Sequence, residues 1–351
     1  MKANIGLIGL AVMGENLALN MESKGFTVAV YNRSVPGEEG VVDRFINGRG
    51  KSKRFIGTHS IEQLVDSVKS PHIIMMMVKA GRPVDELISQ LLPFLSSGDV
   101  IVDGGNSDFH DTERRVKELE KKGIYFVGTG ISGGEEGALH GPSVMPGGSV
   151  EAWPLVKDIL QGISAKLDDG SPCCEWIGAG GAGHFVKMVH NGIEYGMMQA
   201  IGEGLEVLRS SAFDYDLAAV THNWNHGSVV RGWLMELMEQ QLRAHPDLED
   251  IRGVVAASGE AKWTVEAALE LEVPVPVIAL SLMARNATQI KDAFTAKAVS
   301  ALRNGFGGHE YVGADGRLTS GSAANDAPTG GVPASSVAAS AVLSAVAPTE
   351  G

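Results

Sequence analysis

The sequence predicts an α/β domain built on a parallel sheet, followed by an all-α domain. Three observations lead there. Short apolar runs alternate with amphipathic stretches through the first half of the chain. The first of these runs ends in a glycine-rich turn that opens a helix. Past Gly180 the strand-like runs stop, and apolar helical stretches continue to about Ala301. A length of 351 residues suits two domains, and 44% hydrophobic residues suffice for full-sized cores. The expected boundaries are residues 1–178, 179–309, and a disordered tail over 310–351, which is rich in Ala, Ser, Gly and Pro and poor in large apolar groups.

The chain opens as a βαβ unit. Asn4–Gly9 is a short strand, Glu15–Lys24 a helix closed by Gly25, and Phe26–Tyr31 a second strand. Between strand and helix stands Gly9-Leu10-Ala11-Val12-Met13-Gly14, a dinucleotide fingerprint with Ala11 in place of the middle glycine. Gly9 allows the tight turn and Gly14 the close packing of helix on strand. Backbone N–H groups at the helix start can then hold a pyrophosphate, with Val12 and Met13 packing beside the cofactor. This reads as a Rossmann-type domain. After the second strand, an NAD enzyme usually carries an acid for the ribose 2′-hydroxyl. Here the residues are Asn32-Arg33-Ser34. Arg33 can pair with a 2′-phosphate that an acid would repel, which favours NADP.

The alternation continues. Ile73–Val78 leads into Lys79-Ala80-Gly81, and Val100–Asp103 into Gly104-Gly105-Asn106-Ser107. Tyr125–Val127 precedes Ile131-Ser132-Gly133-Gly134, and helices are expected near 83–95 and 109–122. Parallel strands present their C-terminal ends on one edge, where ligands bind. Val78, Lys79, Ala80, Asn106 and Ser132–Gly134 should therefore line one crevice.

The second part is organised around one helix, Gly183–Tyr195. At 3.6 residues per turn, Lys187, His190, Asn191 and Glu194 share a face, with Val186, Val189 and Ile193 roughly opposite. The pattern predicts a mostly buried helix with one ionisable stripe turned into a cleft. A buried lysine costs several kcal/mol unless it is paired or gives up its proton. Lys187 and Glu194 can serve as base and acid on either side of a small substrate.

The net charge of −13 argues against nucleic acid or an anionic membrane as a general partner. The only cysteines, Cys173 and Cys174, are adjacent, which suits neither a disulfide nor a zinc site. No secretory pattern opens the chain, and no apolar run reaches the length of a membrane span. A cytoplasmic protein is expected.

Taken together, these motifs resemble the 6-phosphogluconate dehydrogenase family, closely over 4–208 and more loosely to 309. Tyr31-Asn32-Arg33, Val78-Lys79-Ala80-Gly81, Asp103-Gly104-Gly105-Asn106 and Gly130–Ala138 carry the likeness together with the fingerprint. The stretch Gly183–Tyr195 is specific to that family. The resemblance implies oxidative decarboxylation of 6-phosphogluconate to ribulose 5-phosphate and CO2 with NADP, in the pentose phosphate pathway and gluconate use, with no metal. It implies Lys187 as the base at the C3 hydroxyl and Glu194 as the acid that protonates C1 of the enediol. Asn106, Ser132, Gly133, Gly134, His190 and Asn191 would hold the sugar acid. Tyr195, Lys262 and Arg285 would hold its phosphate, and Arg303 and His309 match residues that the family supplies from a neighbouring subunit. The implied cofactor contacts are Gly9, Ala11, Val12, Met13, Gly14, Asn32, Arg33, Ser34, Val78, Lys79, Ala80 and Asn106.

The helical region holds one copy of what the long form of the family carries twice, so the chain looks like the shorter form. A homodimer at least is expected, since one short helical layer cannot cover helices as apolar as Tyr195–Leu208 and Val277–Met283. Two other readings stay open. One is a related β-hydroxyacid dehydrogenase such as 3-hydroxyisobutyrate dehydrogenase, which would lack the phosphate pocket. The other is a non-catalytic NADP-binding protein, against which an intact Lys187 and Glu194 speak.

Overall fold

The computed structural model describes residues 2–34 and 39–319. It divides into two compact units, Met1–Gln289 and Ile290–Gly351.

The first unit opens with β1 (Ile5–Ile8), α1 (Val12–Ser23), β2 (Val28–Tyr31), α2 (Val41–Asn47), β3 (Phe55–Gly57), α3 (Ile61–Ser67) and β4 (Ile73–Met76). It continues through α4 (Arg82–Leu91), β5 (Val100–Asp103), α5 (Phe109–Glu120), β6 (Tyr125–Ser132), α6 (Gly134–His140), β7 (Ser143–Gly148), α7 (Trp153–Ile163) and β8 (Gly178–Ala179). The eight strands form one sheet in the order β3-β2-β1-β4-β5-β6-β7-β8. The first six are parallel; β7 runs antiparallel to β6 and parallel to β8.

Apolar alternation explains why both faces are covered. Ile73 and Met75 face the layer holding α1 and α7, through Leu17, Met21, Val156 and Leu160. Ile74 and Met76 face the layer of α3, α4 and α5, through Leu64, Val84, Leu91 and Val116. A strand buried on both sides reads as a continuous apolar run, as Ile73–Met76 does. Ser60 and Asp108 cap α3 and α5 with their side chains, whereas α1 begins at Ala11 with no side-chain cap.

Past the sheet come α8 (Ala182–Arg209), α9 (Leu217–Gly227), α10 (Trp233–Ala244), α11 (Gly259–Glu270) and α12 (Pro276–Ala287). The first turns of α8 lie directly on β6 and β7, and α11 and α12 pack along its middle. The docking is close. A Cβ on Gly130 of β6 would sit 2.4 Å from the Lys187 Cβ, so only glycine lets the helix approach there. No helix among the described residues is long and apolar enough to cross a membrane.

The expectation for α8 needs a correction. Lys187 and Asn191 are buried, but Val186 and Ile193 on the other face are 38% and 52% exposed. Residues Val277, Leu280 and Met283 of α12 are exposed as well. Helices α11 and α12 cover only one side of α8, and among the described residues the other apolar side stays open.

The second unit contains α13 (Phe294–Gly307) and a hairpin of β9 (Tyr311–Val312) with antiparallel β10 (Leu318–Thr319). The tail expected over 310–351 therefore begins with paired strands. Asp315-Gly316, with Gly316 at φ 78°, is a hairpin turn between short apolar flanks. Residues 320–351 lie outside the described residues.

Candidate active site

The strand order reverses between β1 and β4, and the fingerprint loop stands at that switch point. A Cβ on Gly14 would fall 1.8 Å from the Gly9 carbonyl oxygen, so the helix start and the strand end touch backbone to backbone. The Leu10 N–H donates to Asn32 Oδ1 at 2.9 Å, which ties the loop to the end of β2. Asn32 thus shapes the loop with the very oxygen a ligand would otherwise use. Because α1 has no side-chain cap, its first N–H groups are left to an anion. Val12 is exposed and Met13 half-buried beside them. Arg33 is exposed, and its guanidinium has no hydrogen-bond or ion-pair partner among the described residues. These features fit a phosphorylated dinucleotide.

Opposite, the loops after β4 and β5 are pinned from below. Arg115, 1% exposed, donates through Nε and Nη2 to both oxygens of Asp85, at 2.9 and 3.1 Å. Its Nη2 also donates to the Gly81 carbonyl at 3.1 Å. Its Nη1 stands 3.6 Å from Asp103, which accepts from Ser107 Oγ and from the Gly105 N–H. Hydrogen bonds from Arg115 first, and then from Arg114, hold the Asp85 carboxyl below the usual range, against its partial burial. Val78, Lys79, Ala80 and Asn106 ride on these fixed loops, with Lys79 and Asn106 exposed. Sequence reasoning passed over Asp103 and Arg115; an arginine on a helix reads as solvated until its neighbours Thr112, Val116 and Leu119 are seen to be buried with it.

The ionisable stripe of α8 meets the end of β6. Lys187 is 5% exposed, and its Nζ donates to Asn191 Oδ1 at 2.6 Å. His190 uses Nδ1 toward the same Asn191 oxygen, at 2.8 Å, and Nε2 toward Ser132 Oγ, at 3.1 Å. Glu194 is half-exposed and 3.9 Å from His190 Nδ1. The charged partner of Lys187 is a different acid, Glu260 of α11, at 3.5 Å. Both side chains are almost wholly buried, at 6% and 4% exposure. Glu260 accepts from Ser258 Oγ at 2.9 Å, and Ser258 in turn binds the Tyr195 hydroxyl through its N–H and its Oγ. The guanidinium of Arg285 lies over the Tyr195 ring, 3.4 Å from its centroid. One continuous network thus runs from His190 through Asn191, Lys187, Glu260, Ser258 and Tyr195 to Arg285.

Of the predicted residues, Ser132, Lys187, His190, Asn191, Glu194, Tyr195 and Arg285 come together, and Gly133 and Gly134 follow Ser132 at the start of α6. Lys262 is exposed and pairs with Glu266 at 3.3 Å. Arg303 and His309 belong to the second unit. Glu260 was missed, since nothing local marks an acid in the first turn of a helix as a buried partner of Lys187.

One turn ahead of Lys187, His184 is 1% exposed and bonded through Nδ1 to Thr112 Oγ1 at 2.7 Å. Burial holds its pKa below 6.5, outweighing the opposing pull of Asp103. The unfolded chain therefore takes up a proton near pH 6.5 that the folded chain refuses. Stability is expected to be full above that pH and to fall below it, by up to about 1.4 kcal/mol per unit. Urea unfolding of wild type and His184→Gln between pH 5.5 and 7.5 checks this; equal slopes would remove the assignment.

Fold and crevice together define a dinucleotide-binding α/β protein with a helical second part. Residues 4–178 match the family model of the NAD binding domain of 6-phosphogluconate dehydrogenase, and residues 183–310 match that of its C-terminal domain. A decarboxylating 6-phosphogluconate dehydrogenase of Treponema pallidum is 51% identical over 300 residues, covering 84% of this chain and 60% of the relative. One from Dictyostelium discoideum is 50% identical over 301 residues, covering 83% and 60%. The structure of Plasmodium falciparum 6-phosphogluconate dehydrogenase, described apo, with its cofactor NADP+ and with its substrate 6-phosphogluconate, superposes with a TM-score of 0.74 at 39% identity. That match covers 86% of this chain and 64% of the other. The chain belongs to the 6-phosphogluconate dehydrogenase family. It spans about 60% of the length of the curated relatives it matches. A 3-hydroxyisobutyrate dehydrogenase from Salmonella typhimurium, at 16% identity, a TM-score of 0.63 and coverage of 84% and 94%, shares the fold alone.

Proposed function

We propose that the chain oxidises and decarboxylates 6-phosphogluconate to ribulose 5-phosphate and CO2, using NADP. The observation that carries this reading is Lys187. It is a buried lysine at the C-terminal edge of the sheet, held by Asn191 and Glu260 and flanked by His190, Ser132 and Tyr195. When bound, NADP supplies the acceptor for the C3 hydride. Lys187 takes the proton of the C3 hydroxyl and returns it to the C3 carbonyl oxygen as CO2 leaves, and Glu194 protonates C1 of the enediol. Asn106, Ser132, Gly133, Gly134, His190 and Asn191 orient the sugar acid. Tyr195, Arg285 and Lys262 face its phosphate, Arg285 being preset by its stack on Tyr195. The division of labour falls near residue 178, with the cofactor held before it and most of the chemistry after it. The reading belongs to a cytoplasmic enzyme, in keeping with two free cysteines; cell fractionation tests the compartment.

NADPH formation followed at 340 nm tests the substrate. Turnover is expected with 6-phosphogluconate and not with gluconate or 3-hydroxyisobutyrate; turnover of 3-hydroxyisobutyrate instead would overturn the reading. The cofactor is tested at Arg33. A charge-assisted contact to the 2′-phosphate contributes about 1.5–3 kcal/mol, or roughly 10–100-fold in kcat/KM for NADP over NAD. Arg33→Ala is expected to lose that preference, and an unchanged ratio would show that another group reads the phosphate.

The working enzyme is proposed to be a homodimer. The open faces of α8 and α12, with Ile193, Met197, Val277 and Leu280 exposed, support a second copy as their cover. Arg303 and His309 then serve the neighbour's site. Lys187→Met subunits mixed with Arg303→Ala/His309→Ala subunits, each inactive alone, are expected to regain activity on exchange; proven exchange without activity would place the segment in cis.

A further inference from the structure

Helices α9 and α10 carry a cluster that the proposed reaction does not use. His222 and His226 stand at i and i+4 on α9, and Glu239 reaches them from α10. One ligand atom from each lies within 4.8 Å of the other two. The two imidazole rings are 4.2 Å apart, tilted by 43°. His226 Nδ1 lies 2.7 Å from the His222 backbone carbonyl, so Nδ1 carries the proton and Nε2 keeps its lone pair. Metal-ligating histidines are oriented in this way by a carbonyl on the far nitrogen. His222 Nδ1 sits 2.8 Å from Glu239 Oε1, so the imidazole and the carboxylate already face each other across the two helices. The Glu239 side chain is only 12% exposed and that of His222 51%, so an ion can enter toward a carboxylate already held in place.

We propose that His222, His226 and Glu239 bind one transition-metal dication of the zinc class and so clamp α9 to α10. Two imidazoles and one carboxylate suit Zn2+, Co2+ or Ni2+ better than Mg2+ or Ca2+, which take oxygen ligands. Ligands of a tetrahedral zinc stand roughly 3.4 Å apart at bond lengths of about 2.0–2.2 Å, so a small swing of exposed side chains closes the set, with water as the fourth ligand. Arg243 opposes the ion, with Nε and Nη2 at 3.0 and 2.9 Å from Glu239 Oε1. The contacts of Arg243 and His222 both fall on Oε1, which leaves Oε2 to an ion. None of these residues belongs to the network around Lys187.

The tag-free, chelator-treated full chain is titrated with ZnCl2 by calorimetry and melted with and without it. One tight site is expected, with a melting temperature raised by several degrees at saturation, because the ion binds the folded pair of helices. Co2+ in the same site should show d–d absorption. His226→Gln and Glu239→Gln lie outside the core, so both fold, as circular dichroism verifies. Each is expected to weaken zinc binding by roughly 10-fold or more and to lose the thermal shift and the cobalt spectrum. Wild type and both variants binding zinc alike, or wild type showing no thermal shift, would overturn the site.

Discussion

Lys187→Met is expected to lower kcat by roughly 10²–10⁴-fold, the range for loss of a general base. The substitution conserves much of the side-chain volume and removes the one nitrogen that faces Asn191 and Glu260. The fingerprint loop and Arg33 lie on other elements, so NADP affinity, read by fluorescence titration, should change little. The variant also leaves Glu260 buried without its cation. A stability measurement on the same preparation separates loss of fold from loss of chemistry. Glu194→Gln provides the contrast. In the proposed mechanism Glu194 acts after hydride transfer, so NADPH formation in a single turnover should be near normal while steady-state turnover slows. A Lys187→Met enzyme with near-normal single-turnover rates would mean that another group takes the proton.

The second large effect falls on Glu260. Glu260→Leu leaves the Lys187 ammonium buried with only Asn191 as partner, and breaking a buried pair from one side costs about 3–5 kcal/mol. Losing both partners at once costs less than the single changes suggest, since no charge is left stranded. Lys187→Met/Glu260→Leu should therefore be more stable than Glu260→Leu alone. Urea unfolding of Lys187→Met, Glu260→Leu and the double variant gives the coupling. Additive effects would show that the two side chains do not act as a pair.

Much of this was legible in the sequence, for definite physical reasons. The fingerprint needs glycine at Gly9 and Gly14 because backbone meets backbone there, and that requirement is visible in a string of letters. Period 3.6 placed Lys187 and Asn191 on one face of α8, and they are the buried pair. Ile73–Met76 announced a doubly covered strand through its unbroken apolar run. What stayed hidden came from long range or from weak local signal. β3 is three residues at a sheet edge, and β7 reads Ser-Val-Met-Pro-Gly-Gly, which resembles a turn until β6 pairs with it. Glu260 and Arg115 look like ordinary helix-surface charges, and only tertiary packing shows that each is buried against an opposite charge. The exposure of Val186 and Ile193 departs from the pattern because periodicity tells which face is apolar, not what covers it.

The most direct measurement is the stoichiometry of products from 6-phosphogluconate labelled at C1. Purified enzyme with NADP is expected to release one labelled CO2 for each NADPH formed, with both lost together in Lys187→Met. NADPH without labelled CO2, or neither product from folded wild-type enzyme, would contradict oxidative decarboxylation by this chain.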